Sequence, residues 1–110
     1  MSKTIIDVMG ASVPFVTYED KGLTFFEFDT SMSEPPAPMV NAMSGLKLLD
    51  SDKKRLVMIN MHAPKGLFPK IEADFEWEIE DIENGNVCVI YRLKGTEATS
   101  TDFESTQCSG

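Results

Sequence analysis

Leu56-Val57-Met58-Ile59-Asn60-Met61 is the stretch that most restricts how this chain can fold, because all but one of its residues are apolar. Consecutive side chains of a strand point to opposite faces, so a run that is apolar at both parities needs cover on both. Arg55 to Met61 therefore reads as a central strand, ended by His62-Ala63-Pro64-Lys65-Gly66. Upstream, Ser33-Glu34-Pro35-Pro36-Ala37-Pro38 combines an N-cap residue type with prolines, which a helix tolerates only in its first turn. Met39, Met43, Leu46 and Leu49, with Val40 beside them, then recur at helical spacing and fade at Asp50-Ser51-Asp52. Downstream, Leu67 to Asp74 predicts a short helix with Pro69 in its first turn.

The remaining segments have strand character. Val13 to Tyr18 and Leu23 to Asp29 are rich in β-branched and aromatic residues, and Glu19-Asp20-Lys21-Gly22 between them reads as a hairpin turn. Phe75 to Ile82 alternates, with Phe75, Trp77 and Ile79 on one face and Glu76, Glu78 and Glu80 on the other. Asn84-Gly85 is a two-residue turn signal, and Val87 to Leu93 supplies the return strand. Thr4 to Met9 reads as either a strand or a flexible leader, and Gly95 to Gly110 as a mobile, disordered tail without periodicity. The order is strand, helix, strand, helix, strand, strand, preceded by an extra hairpin strand. If 23–29 and 55–61 are parallel neighbours, their carboxyl ends and both helix amino ends meet at one sheet edge, where open α/β sheets place ligands. Ser31, Ser33, Glu34, His62, Lys65 and Gly66 converge there.

A length of 110 residues supports one hydrophobic core. The formal charge of -8 opposes the counterion release that drives nucleic-acid binding, so DNA, RNA and anionic membranes are not expected as partners. A basic protein partner remains compatible with an acidic face. No apolar run reaches the roughly 20 residues of a membrane span, and Met1-Ser2-Lys3-Thr4 lacks the apolar core of a signal peptide, so a cytoplasmic protein is expected. Cys88 falls inside an apolar strand pattern and Cys108 in the polar tail; two free thiols suit a reducing compartment, and a structural disulfide is not expected.

A strand followed by Glu34-Pro35-Pro36-Ala37-Pro38-Met39-Val40, then one ending in His62-Ala63-Pro64, then Leu67-Phe68-Pro69, resembles domain-of-unknown-function family 2249 from about Leu23 to Lys94. That family is similar in fold to the TusA/SirA sulfur carriers. The resemblance implies an α/β two-layer sandwich over residues 23–94, a βαβαββ core with two helices on a mixed four-stranded sheet; the N-terminal strand or hairpin extension at 1–22 and the disordered tail at 95–110 lie outside it. The carriers have a Cys-Pro-Xaa-Pro motif at the first helix's amino end, where the dipole favours a thiolate. The matching stretch here is Pro35-Pro36-Ala37-Pro38, so the resemblance transfers the scaffold and removes the nucleophile.

His62 is the only histidine, and its expected role is structural, at a strand end or helix terminus, with a ligand or partner contact as the alternative. Met58, Met61 and His62, with Met32, form a soft donor set for Cu(I) on paper, but consecutive strand residues diverge and such methionines more often fill a core. Glu76, Glu78, Glu80, Asp81 and Glu83 read as a solvated face partly neutralised by Arg92 and Lys94. The expected function is a non-catalytic binding or adaptor module that recognises a protein or small anion through Ser33, Glu34, Pro35, His62, Pro64 and Lys65, without cofactor or metal. The competing expectation is a sulfur-carrier or redox/metal-linked protein using Cys108 or His62. Oligomeric state is not legible in the sequence.

Overall fold

The computed structural model describes residues 3–95; the tail at 96–110, with Phe103 and Cys108, lies outside the described residues. The elements run β1 (Thr4–Ile6), β2 (Phe15–Asp20), β3 (Leu23–Asp29), α1 (Ala37–Leu46), β4 (Lys54–Asn60), α2 (Phe68–Ile71), β5 (Phe75–Asp81) and β6 (Val87–Leu93). The fold is α/β, with two helices and a mixed sheet, but the sheet has six strands rather than four, in the order β1-β2-β3-β4-β6-β5. The extra strands come from the amino-terminal hairpin, which continues the same sheet: β2 pairs antiparallel with β3 and β1 with β2. β3 and β4 are parallel neighbours, and β4–β6 and β6–β5 are antiparallel. The extension thus covers what would otherwise be an open edge of β3.

Both turns use positive φ where the sequence supplies residues for it. Lys21 and Gly22 lie at φ 54° and 83°, and Asn84 and Gly85 at 64° and 77°. The Asn84-Gly85 connection is longer than two residues, because a 3₁₀ turn at Glu83–Gly85 separates Asp81 from its partner Val87.

Burial on both sheet faces follows the strand patterns. Leu56, Met58 and Tyr91 face the helices with Phe15, Phe28 and Leu67, while Phe25, Val57, Cys88 and Ile90 form a second buried cluster on the opposite face. Cys88 is disulfide-bonded, which corrects the expectation of a free core thiol. Glu76, Glu78 and Glu80 of β5 share this second face, where Arg92 pairs with Glu76 at 3.3 Å and Glu78 at 3.0 Å. Ile79 departs from the expected pattern: Phe75 and Trp77 pack on the core, but Ile79 is 48% exposed.

α1 sits differently from its expected stripe. It starts at Ala37 with Pro36 as N-cap, four positions after Ser33, and no side chain caps it. Its buried residues are Asn41, Ala42, Ser44, Gly45 and Leu46, whereas Met43 is 40% and Val40 43% exposed. Gly45 sets this rotation, since a Cβ there would lie 2.6 Å from Leu56 Cδ1 and 3.0 Å from Phe15 Cε2. Only a face of small residues lets the helix approach the sheet so closely, and the methionines are left at its flank. α2 is a single turn rather than an eight-residue helix. Among the described residues, no helix is long and apolar enough to cross a membrane.

Candidate functional site

The parallel pair β3–β4 brings two chain crossings to the same sheet edge. After Asp29 the chain turns through Thr30–Pro36 into α1, and after Asn60 it turns through Met61–Leu67 into α2. Between these loops lies a cleft of about 280 Å³, mostly apolar, whose walls include Pro35, Pro36, Met39, Met61 and Pro64. Proline is suited to such a wall: it packs a rigid apolar ring and has no N–H to leave unsatisfied.

Of the residues singled out in the sequence, Ser33, Pro35, His62, Pro64, Lys65 and Gly66 line the cleft. Glu34 does not; its carbonyl accepts the Ala37 amide at 2.9 Å while its side chain is exposed. Ser31 is likewise absent from the cleft walls, and bonds instead to Asp29 Oδ1 through its amide at 2.8 Å and its hydroxyl at 2.6 Å. The His62 ring is exposed, with Nδ1 3.2 Å from the carbonyl of Ala63, so it meets its chain neighbour rather than a helix terminus.

The cleft offers little to an anion. A helix amino end attracts anions through free amides, but at α1 the Ala37 amide is already used by Glu34, Pro38 has none and the Val40 amide donates to Pro36, which leaves the Met39 amide of the first turn. At α2 the Leu67 amide donates to Pro64 and the Lys70 amide to Leu67. Among the lining residues Lys65 is the one cation and none is an acid; the His62 imidazole lies beside it.

The floor has one polar group that sequence patterning missed. Asn60 is buried; its Oδ1 accepts from Thr30 Oγ1 at 3.1 Å and its Nδ2 donates to the His62 carbonyl at 2.9 Å. Thr30 Oγ1 also lies 3.3 Å from the Ile59 carbonyl. This small network ties the end of β3 to the end of β4 and fixes the loop that carries His62 and Pro64. A polar residue closing an otherwise apolar strand was the only signal for it. Met39 and Met61 were visible as core or copper candidates, yet both border the cleft, and Met61 is 48% exposed. Met58 lies instead in the core, where its Sδ accepts from Tyr91 Oη at 3.3 Å. Among the described residues, no group of three or more His, Cys, Asp or Glu side chains is placed to hold a metal ion. Comparisons with family models, curated proteins and solved structures find no match to this chain.

Proposed function

We propose that the chain is a non-catalytic binding module whose cleft between Pro35 and His62 receives an apolar group from a protein partner, on a scaffold related to the sulfur carriers. The observation that carries this function is the cleft itself: about 280 Å³, walled by prolines and methionines, at the edge where parallel strands deliver two loops. Removing such surface from water favours binding by about 25 cal/mol per Å² buried, and methionine adapts to irregular partners. The β–α–β–α–β–β order from β3 onward supports the scaffold, and Pro35 stands where the resemblance would put the carrier thiol. With the Ala37 and Val40 amides engaged and Pro38 without one, an apolar protein side chain suits this mostly apolar lining better than a small anion.

The test uses two probes, indole as a neutral aromatic and inorganic phosphate as an anion, titrated into protein with labelled methionine methyls. Indole is expected to shift Met39 and Met61 while phosphate leaves the Ala37 and Met39 amides unmoved. Gly66→Leu should abolish the indole response by filling the cleft, since a Cβ at Gly66 already lies 3.5 Å from Met39 Cε. Phosphate shifts without indole shifts would replace this function with anion binding, and a response to neither would remove the cleft as a site.

A further inference from the structure

We infer that the docking surface extends from this cleft along the outer flank of α1 to a second hollow, and that its occupant is an acidic amphipathic helix of a partner protein. This rests on the cleft being a binding site. The second hollow, of about 200 Å³, lies between α1 and the α2–β5 segment and is lined by Met43, Leu46, Lys47, Lys70, Asp74 and Phe75, with Ile71.

Two features of the surface select that occupant. The first is spacing. Gly45 seats α1 against Leu56 by its small-residue face, which leaves Val40 and Met43 exposed on α1. Met39 lines the first hollow and Met43 and Leu46 the second. At 1.5 Å of rise per residue these anchor points are about 6 to 10 Å apart, the distance between i and i+4 or i+7 side chains on a facing helix. The second feature is charge. The chain has 18 acidic and 10 basic side chains, yet the two linings hold three lysines, Lys47, Lys65 and Lys70, against one acid, Asp74. Among the described residues, none of these lysines is in an ion pair, whereas Lys3, Lys54 and Arg92 are.

The overall negative charge does not cancel this preference. Glu76, Glu78 and Glu80 alternate with the helix-facing residues of β5 and so project from the opposite sheet face. The sheet and the helix layer lie between these carboxylates and the docking surface, and at physiological salt solvent-exposed charges more than about 8 Å apart are largely screened.

The probe is a synthetic helical peptide with Leu at i and i+7 and Glu on the flanks, compared with one carrying Lys in place of Glu and one carrying Ser in place of Leu. The Glu peptide is expected to shift the Met39 and Met43 methyls together, and the Ser peptide neither. The combined Lys47→Glu, Lys65→Glu, Lys70→Glu variant should bind the Glu peptide about tenfold more weakly and prefer the Lys peptide. All three lysines are exposed, and circular dichroism checks that the variant folds; Met43→Gln, with the charges untouched, should weaken the Glu peptide independently. Tighter binding of the Lys peptide to the wild type would overturn the charge assignment. Shifts confined to Met39, with indole still bound, would overturn the extended surface and leave the cleft in place. No shift with peptide or indole would remove both. Wild-type binding to phosphatidylserine vesicles without any peptide response would assign the surface to a membrane and overturn the proposal.

Discussion

Asn41→Leu isolates the contribution of one buried amide to the attachment of the amino-terminal loop. The Asn41 side chain is fully buried in α1. Its Oδ1 accepts from the Ser12 amide at 2.8 Å and the Val13 amide at 3.3 Å, and its Nδ2 donates to Ser12 Oγ at 2.9 Å and the Ala37 carbonyl at 2.8 Å. Leucine fills nearly the same volume, so the cavity term is small and the hydrogen bonds are what is lost. Three short bonds at about 1 kcal/mol each give an expected loss of about 3 kcal/mol; the long Val13 contact adds little. Urea melts followed by Trp77 fluorescence would measure it, with an unchanged dependence on denaturant showing that compactness is preserved. Asn41→Asp adds a check on sign. It keeps the Oδ1 acceptor but sets a carboxylate oxygen against the Ala37 carbonyl in a buried site, which raises the folded-state pKa above the unfolded value of about 3.9. The destabilisation is therefore full at neutral pH and is relieved as pH falls through the folded pKa toward the unfolded one. An Asn41→Leu loss below about 1 kcal/mol, or an Asp variant that gains nothing on the wild type with acidification, would refute the role assigned to this side chain.

Trp77 is partly buried, stacked on Phe68 at 4.4 Å between ring centroids and tilted on Tyr91 at 6.4 Å. Trp77→Ala should cost about 2 to 3 kcal/mol, less than a fully buried ring, and must be read by circular dichroism because the chain has no other tryptophan; a loss below about 1 kcal/mol would show the stack to be incidental. Both of the chain's tyrosines are held well above the ordinary phenol value, Tyr18 by burial and then by the Glu27 carboxylate it bonds at 3.0 Å, and Tyr91 by burial. Their stabilisation is complete below the unfolded pKa of about 10 and is lost as pH rises, so tyrosinate absorbance should appear only together with unfolding. Ionisation with an intact circular dichroism spectrum would contradict this. The Asp50 carboxyl lies below its ordinary range because Lys54 Nζ bonds it at 2.7 Å, so Lys54→Ala should raise its pKa in a carbon-detected titration while leaving the melting curve almost unchanged, as for other exposed pairs.

Much of the fold was legible because strand and helix periods are local. The apolar run before His62, the alternation around Trp77 and the prolines before Met39 each report a period or a missing N–H, which depend on few neighbours. The edge where Pro35 meets His62 could be anticipated for the same reason: once two strands are parallel, the loops after them must share an end. Glu34 shows the limit. Its position in the chain put it at the edge, but the turn into α1 carries its side chain away from the cleft wall.

What the sequence by itself determined was the kind and order of most elements, the two positive-φ turns and the neighbourhood of the cleft. The tertiary structure decided that the amino-terminal hairpin joins the main sheet, and that Asn41 and Asn60 are buried ties rather than surface amides. It also decided which side of α1 is core. The methionine spacing defines a stripe, but Gly45 is the residue that can touch Leu56, and the helix turns toward its small side. Spacing along a chain records which side chains share a face, whereas the depth and rotation of a helix on a sheet depend on how closely two backbones can approach, a property of both surfaces together.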